Sequence, residues 1–265
     1  MEVDLPRIGL GTWKLDRSIA ARIVSLAIDM GYRHVDTAQI YGNEAEVGDG
    51  IAAATVDREN LIVATKVWVD RLAPRKVRPS VEESLRKLKL DYVDLLYVHW
   101  PAGKYEHCKT LDAFNELIED GLVRNTCVSN FTPSLVDEAL DTCGAAIVVN
   151  QVEHHPLLQQ RELLAHHEKR GIQVVAYSPL ARGDVLDVPE IVEIARKHAI
   201  TPAQVSLAWV MEHGAIPIPK SSSEAHLQEN LDALDVQLDA RDIERIGGIE
   251  RENRKVSPLG LHPDW

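Results

Sequence analysis

Eight short apolar runs, each followed by a stretch with helical spacing, leave this chain very few architectures. The runs fall at about residues 8–13, 34–38, 61–66, 93–99, 123–129, 147–151, 172–177 and 215–219. Apolar runs of that length read as strands buried on both faces. Between them apolar residues recur three or four apart. Ile19, Ile23, Leu26, Ala27 and Met30 do so before Gly31, as do Val77, Val81, Leu85 and Leu88, and Leu111, Phe114, Leu117 and Ile118 before Gly121. Strands joined by helices pair in parallel through right-handed crossovers, and eight of them close an α/β (β/α)8 TIM barrel. A doubly wound open sheet is the rival, but it would show a shift into a second domain. No linker, low-complexity tract or like-charge block interrupts the sequence, so residues 1–265 read as one barrel. Two helices are expected before the last strand, at about 188–198 and 202–213, and a tail helix at about 239–247.

Charge and cysteine content exclude several functions. Lys and Arg number 29 against 41 Asp and Glu, a formal net charge of −12. A surface that negative repels phosphate backbones, so no nucleic-acid partner is expected. The three cysteines, Cys108, Cys127 and Cys143, are an odd number with neither metal-ligand spacing nor a framework of pairs. That usage fits a reducing cytosol. The start, Met-Glu-Val-Asp-Leu-Pro, has no basic region or apolar run and does not read as a signal peptide. The longest apolar stretches are about half of a bilayer span. The expectation is a cytoplasmic protein, monomeric or weakly oligomeric, with no membrane partner and no metal.

A barrel of this kind carries its function at the C-terminal ends of its strands. Those ends hold Trp13, Asp36 with Tyr41 shortly after, Lys66, His99 and Trp100, Ser129 and Asn130, Gln151, Tyr177, and Lys220 with Ser221. Asp36, Tyr41, Lys66 and His99 form a chemically sensible set. A phenol is a poor acid at neutral pH; a nearby ammonium lowers its pKa, and a carboxylate keeps the ammonium charged and oriented. An imidazole can place a carbonyl oxygen beside the phenol, so the set suits protonation of a carbonyl that is receiving a hydride.

The segment Asp36-Thr37-Ala38-Gln39-Ile40-Tyr41-Gly42-Asn43-Glu44 resembles the signature of the aldo-keto reductases. So do LGTW at 10–13, ATKVW at 64–68, YVHWP at 97–101, VSNF at 128–131, QVEHHP at 151–156, YSPLARG at 177–183 and IPKSSS at 218–223. The pieces span nearly the whole chain in the family's order, and the chain resembles the prokaryotic 2,5-diketo-D-gluconate reductase branch. The resemblance implies reduction of small aldehydes, ketones or dicarbonyls with a nicotinamide cofactor. Tyr41 would be the general acid, Lys66 would lower its pKa, Asp36 would be the lysine's partner, and His99 would orient the substrate. Ser129, Asn130 and Gln151 match positions that bond the carboxamide, and Tyr177 matches the aromatic that stacks on the nicotinamide. Ser178 and Leu180 match pyrophosphate contacts. Lys220, Ser221 and Ser222 match the grip on the 2′-phosphate, and Glu229 and Asn230 match the adenine contacts.

The sequence departs from the family at His226, where an Arg usually stacks on adenine and pairs with the 2′-phosphate. Imidazole lacks the permanent charge and planar fork of Arg, so NADP(H) is expected as the favoured cofactor, through Lys220, with NAD(H) also used. Only about seven residues precede the first strand, too few for the family's N-terminal hairpin, and the loop after His99 and the tail after Gly248 are short. An open pocket lined by Trp13, Trp68 and Trp100 is expected. Two other readings belong to different classes: a non-catalytic cofactor-binding regulatory barrel, and an aldolase using Lys66 as a Schiff-base amine. Alcohol oxidation as the physiological direction is a further alternative. Gly9-Leu10-Gly11 lacks the third glycine of a dinucleotide loop. Tyr105-x-x-x-Lys109 imitates the short-chain dehydrogenase pair without that family's opening strand. The pairs His154-His155 and His166-His167 read as solvated or hydrogen-bonding residues.

Overall fold

Asp16 begins the first helix. Its carboxylate accepts the Ser18 N–H at 2.8 Å, and α1 (Arg17–Met30) runs until Gly31, whose φ of 125° only glycine adopts readily. The same alternation continues through the computed structural model, which describes residues 3–263. Its first half holds β1 (Leu10–Gly11), α1, β2 (His34–Asp36), α2 (Glu44–Ala53), β3 (Ile62–Val67), α3 (Pro74–Leu88), β4 (Val93–Val98) and α4 (His107–Glu119). Then come β5 (Val123–Ser129), α5 (Pro133–Asp141), β6 (Ile147–Glu153), α6 (Arg161–Arg170), β7 (Gln173–Tyr177) and α7 (Pro189–His198). The chain ends through α8 (Pro202–Glu212), β8 (Ala215–Pro217), α9 (Glu224–Asp232) and α10 (Ala240–Gly247). Proline at the first turn of α3, α5, α7 and α8 presets the helical φ where no N–H partner is needed. Reciprocal capping boxes, Thr201 with Gln204 and Asp239 with Asp242, start α8 and α10.

The strands pair in parallel in chain order, β1 to β8. Two backbone bonds, Gly9 N to Pro217 O at 3.0 Å and Gly11 N to Pro219 O at 3.1 Å, join β8 back to β1 and close the barrel. Closure requires the glycine at position 11, because a Cβ there would lie 2.6 Å from the Ile218 carbonyl oxygen. Outward-facing strand residues such as Val35, Val63, Leu96 and Val128 pack under the helices. Ala64, Leu95, Tyr97, Cys127, Val149 and Val175 fill the inside, so the barrel is a packed core and not a pore. Among the described residues no helix is long and apolar enough to cross a membrane.

The structure sharpens two expectations and corrects one, that of the cysteines. The short N-terminal segment still packs against the barrel's interior residues without a hairpin: Val3 and Leu5 join the same cluster, and the Val3 carbonyl accepts the Gln173 side-chain amide at 2.7 Å. Cys108 and Cys143 form a disulfide, so the cysteines do contain a pair; their separation of 35 residues hides it from spacing rules. The paired histidines follow the hydrogen-bonding reading: His155 Nε2 lies 2.9 Å from a Glu153 carboxylate oxygen and His167 Nε2 lies 2.8 Å from the Asn150 amide. His154, His155 and His167 are buried, and burial pushes His154 down to about 3 and His167 to about 4, keeping both rings neutral.

Candidate active site

At the C-terminal end of β2, Asp36 points into the barrel mouth, where the Lys66 ammonium from β3 meets it at 2.5 Å. Lys66 also donates to the Thr37 carbonyl at 2.9 Å and to the Tyr41 hydroxyl at 3.3 Å. Lys66 is wholly buried and Asp36 nearly so. Tyr41 ends a single helical turn, Gln39–Tyr41, stopped by Gly42 in the left-handed region (φ 69°). Neighbouring amides fix that turn. Asn43 donates to the Thr12 carbonyl at 2.9 Å, while Gln39 donates to Ser80 O at 3.1 Å and accepts from Trp68 N at 3.1 Å. His99, just past β4, has its ring edge-on to Tyr41 at 5.9 Å and to Trp68 at 5.1 Å. Its Nδ1 is buried without a hydrogen-bond partner.

The electrostatics differ from the sequence expectation for Tyr41. Its pKa lies well above the usual phenol value, first through burial and then through the charge of Asp36. Burial therefore outweighs the ammonium, and the phenol stays protonated at neutral pH. Lys66 is pressed down by burial, and the Asp36 carboxylate opposes this. His99 is pushed well below its ordinary value by burial and by Lys66, so it is a neutral imidazole. The ensemble is a neutral acid with a cation behind it, able to hold the negative charge left when the proton departs.

These groups open on a cavity of about 510 Å³. Its lining includes Trp13, Asp36, Tyr41, Trp68, His99 and Trp100. Ser129, Asn130, Gln151, Tyr177, Ser178, Leu180 and Lys220 also line it. The amide groups are already engaged. Asn130 donates to His99 O at 2.9 Å and accepts from the Tyr177 hydroxyl at 2.8 Å, and Gln151 donates to Asp36 at 2.8 Å. Asn130 and Ser178 sit at φ 63° and 52°, left-handed conformations that cost non-glycine residues energy and gather at functional sites. With an orphaned imidazole nitrogen, an aromatic face and carboxamide-bearing side chains converging there, the residues present fit a nicotinamide.

Five expected cofactor residues lie outside this cavity: Ser221, Ser222, His226, Glu229 and Asn230. They lie before and along α9. Ser222 and His226 are exposed, as is Lys220 at the cavity rim. Ser221 is buried, its hydroxyl 2.9 Å from Ser223 O. Asn230 is buried as well, and Glu229 accepts the Thr201 hydroxyl at 2.5 Å. These three are thus occupied by internal contacts.

Arg182 stands inside the YSPLARG motif without a role of its own, and the tail after Gly248 stands out in the sequence only as short. Arg182 lines the cavity and lies 4.9 Å over the Trp13 ring, which bridges the mouth from β7 to β1. The tail is short, yet Val256 and Pro258 form part of the cavity wall. It is held by Glu153, buried at the end of β6, whose carboxylate accepts the N–H groups of Lys255 at 2.6 Å and Val256 at 2.8 Å. The Lys255 ammonium and the Asn253 amide bind Asp184. Glu153→Gln weakens this hold. The KM for a carbonyl substrate should rise roughly tenfold, equivalent to one charge-assisted bond of about 1.5 kcal/mol. Steady-state kinetics and cofactor titration should show kcat and NADPH affinity little changed; an unchanged KM would show that the tail does not shape the pocket.

A closed eight-stranded barrel with a buried Asp–Lys–Tyr chain and a neutral histidine at its mouth defines a class of hydride-transferring reductases. The chain matches the Aldo/keto reductase family over residues 7–251 and belongs to it. It is 43% identical over 264 residues to methylglyoxal reductase DkgB of Escherichia coli O157:H7, spanning 98% of this chain and 99% of that protein. It is 40% identical over 263 residues to glyoxal reductase of Bacillus subtilis (strain 168), spanning 99% and 94%. A solved structure described as a putative 2,5-diketo-D-gluconic acid reductase B superposes with a TM-score of 0.94 at 38% identity, covering 98% of this chain and 94% of the other. The chain is an oxidoreductase acting on carbonyl groups, in a family that uses nicotinamide cofactors.

Proposed function

We propose that this enzyme reduces small aldehydes, ketones and dicarbonyls such as methylglyoxal to alcohols, with Tyr41 as the proton donor and NADPH as the favoured reductant. The observation that carries the reading is the buried chain from Asp36 through Lys66 to Tyr41, which ends at a cavity beside His99. The reduced nicotinamide, when bound, supplies a hydride to the carbonyl carbon. Ser129, Asn130 and Gln151 would hold its carboxamide and the Tyr177 ring would pack on the nicotinamide. His99 orients the carbonyl oxygen beside Tyr41, which gives up its proton as charge develops there. Lys66 stabilises the phenolate that remains, and Asp36 keeps Lys66 charged. Trp13, Trp68 and Trp100 supply an apolar lining suited to small carbonyl compounds.

Lys220, exposed and lining the cavity, and Ser222, exposed two residues on, support the preference for NADPH. His226, exposed on α9, limits that preference, so NADH is accepted as well. His226→Arg adds a permanent charge and a planar fork, so NADPH should bind roughly tenfold more tightly, with NADH changed far less. Quenching of tryptophan fluorescence measures both constants. Equal changes for the two cofactors would show that residue 226 does not face the 2′-phosphate.

A further inference from the structure

Cys108, in the first turn of α4, is joined to Cys143, two residues beyond α5, with their Cα atoms 4.9 Å apart. His107 adjoins this disulfide. Its imidazole and the two sulfurs lie within 4.8 Å of one another, and all three side chains are half-buried, within reach of solvent. The Tyr105 hydroxyl lies 3.1 Å from His107 Nδ1 and fixes the ring. His107 Nε2 is left without a hydrogen bond, 3.4 Å from a Glu138 carboxylate oxygen. None of these residues lines the catalytic cavity.

We propose that His107, Cys108 and Cys143 form a redox-gated metal site, closed as a disulfide when oxidised and binding one zinc-class divalent ion when reduced, with the Glu138 carboxylate beside His107 Nε2 swinging in as the fourth ligand. Two thiolates, one imidazole and a carboxylate are the donor set of a tetrahedral zinc site, with Zn–S near ~2.3 Å and Zn–N near ~2.0 Å. Backbones close enough for a disulfide hold the sulfurs close to where such an ion needs them, so opening the S–S bond is the main rearrangement required. Tyr105 on Nδ1 is the outer hydrogen bond that a metal-ligating histidine usually has, and it leaves Nε2 free for the ion.

The gating step balances with a thiol reductant. One R–SH, as its thiolate, attacks a sulfur of the disulfide and expels the other cysteine as a thiolate. A second R–SH displaces the first cysteine, and RS–SR leaves. Two electrons pass to the protein, and both cysteines end as thiols. Binding of the divalent ion then releases the two thiol protons to solvent.

The test is a titration of intact protein with cobalt(II), which gives a thiolate charge-transfer absorption in tetrahedral sulfur sites. Protein reduced with dithiothreitol and desalted without air should bind one equivalent, and zinc should bleach the band. Untreated disulfide protein should show no band. Cys143→Ser should weaken binding at least 100-fold, and His107→Ala roughly 10- to 100-fold. Both variants should keep wild-type methylglyoxal reduction, which shows that they are folded. A reduced wild type without the band would overturn the proposal, as would a band that persists at full strength in Cys143→Ser.

Discussion

Tyr41→Phe lowers kcat for carbonyl reduction by roughly 10²- to 10⁴-fold, the range lost when a positioned proton donor is removed. The substitution deletes a single oxygen. The ring keeps its edge contact with His99, and Lys66 keeps its bonds to Asp36 and the Thr37 carbonyl. The residues proposed to hold the carboxamide are untouched, so NADPH affinity should stay within about twofold of wild type. Stopped-flow turnover together with fluorescence titration separates the two quantities. Substantial turnover in the variant would assign the proton to another group.

Lys66→Met has the largest expected effect on stability. Lys66 is fully enclosed, and its removal leaves the Asp36 carboxylate buried without its cation. Breaking a buried pair on one side costs about 3–5 kcal/mol, a large share of a stability of about 5–15 kcal/mol. Adding Asp36→Asn removes the stranded charge, and the new amide can still accept the Gln151 side-chain N–H. The double variant should therefore recover most of the lost stability. It should not recover turnover, because no cation remains to hold the Tyr41 phenolate. Urea unfolding at constant m-value reads the first outcome and initial rates read the second. A single variant as stable as wild type would contradict the ion pair; a double variant with restored turnover would remove Lys66 from proton transfer.

The barrel was legible because eight short, largely apolar runs alternate with segments whose apolar residues recur every three or four positions. The strand ends marked Asp36, Tyr41, Lys66 and His99 because polar residues directly after buried strands are conspicuous. Contacts set by tertiary folding left no such trace. Glu153 stands inside the QVEHHP motif without a role of its own there, and its purpose depends on a tail a hundred residues later. Asn43 and Gln39 fix the Tyr41 turn through backbone groups, which leave no pattern in sequence. The raised pKa of Tyr41 was hidden for a related reason. Proximity to Lys66 is readable from strand order, but the depth of burial that outweighs it emerges only from the packed barrel.

The most direct measurement follows deuterium from the transferable position of NADPH during reduction of methylglyoxal by the wild-type enzyme. The expected product carries one deuterium on the new carbinol carbon, and parallel runs in heavy water add none at that carbon. Consumption of NADPH without labelled alcohol, or label entering that carbon from solvent, would contradict direct hydride transfer at this site.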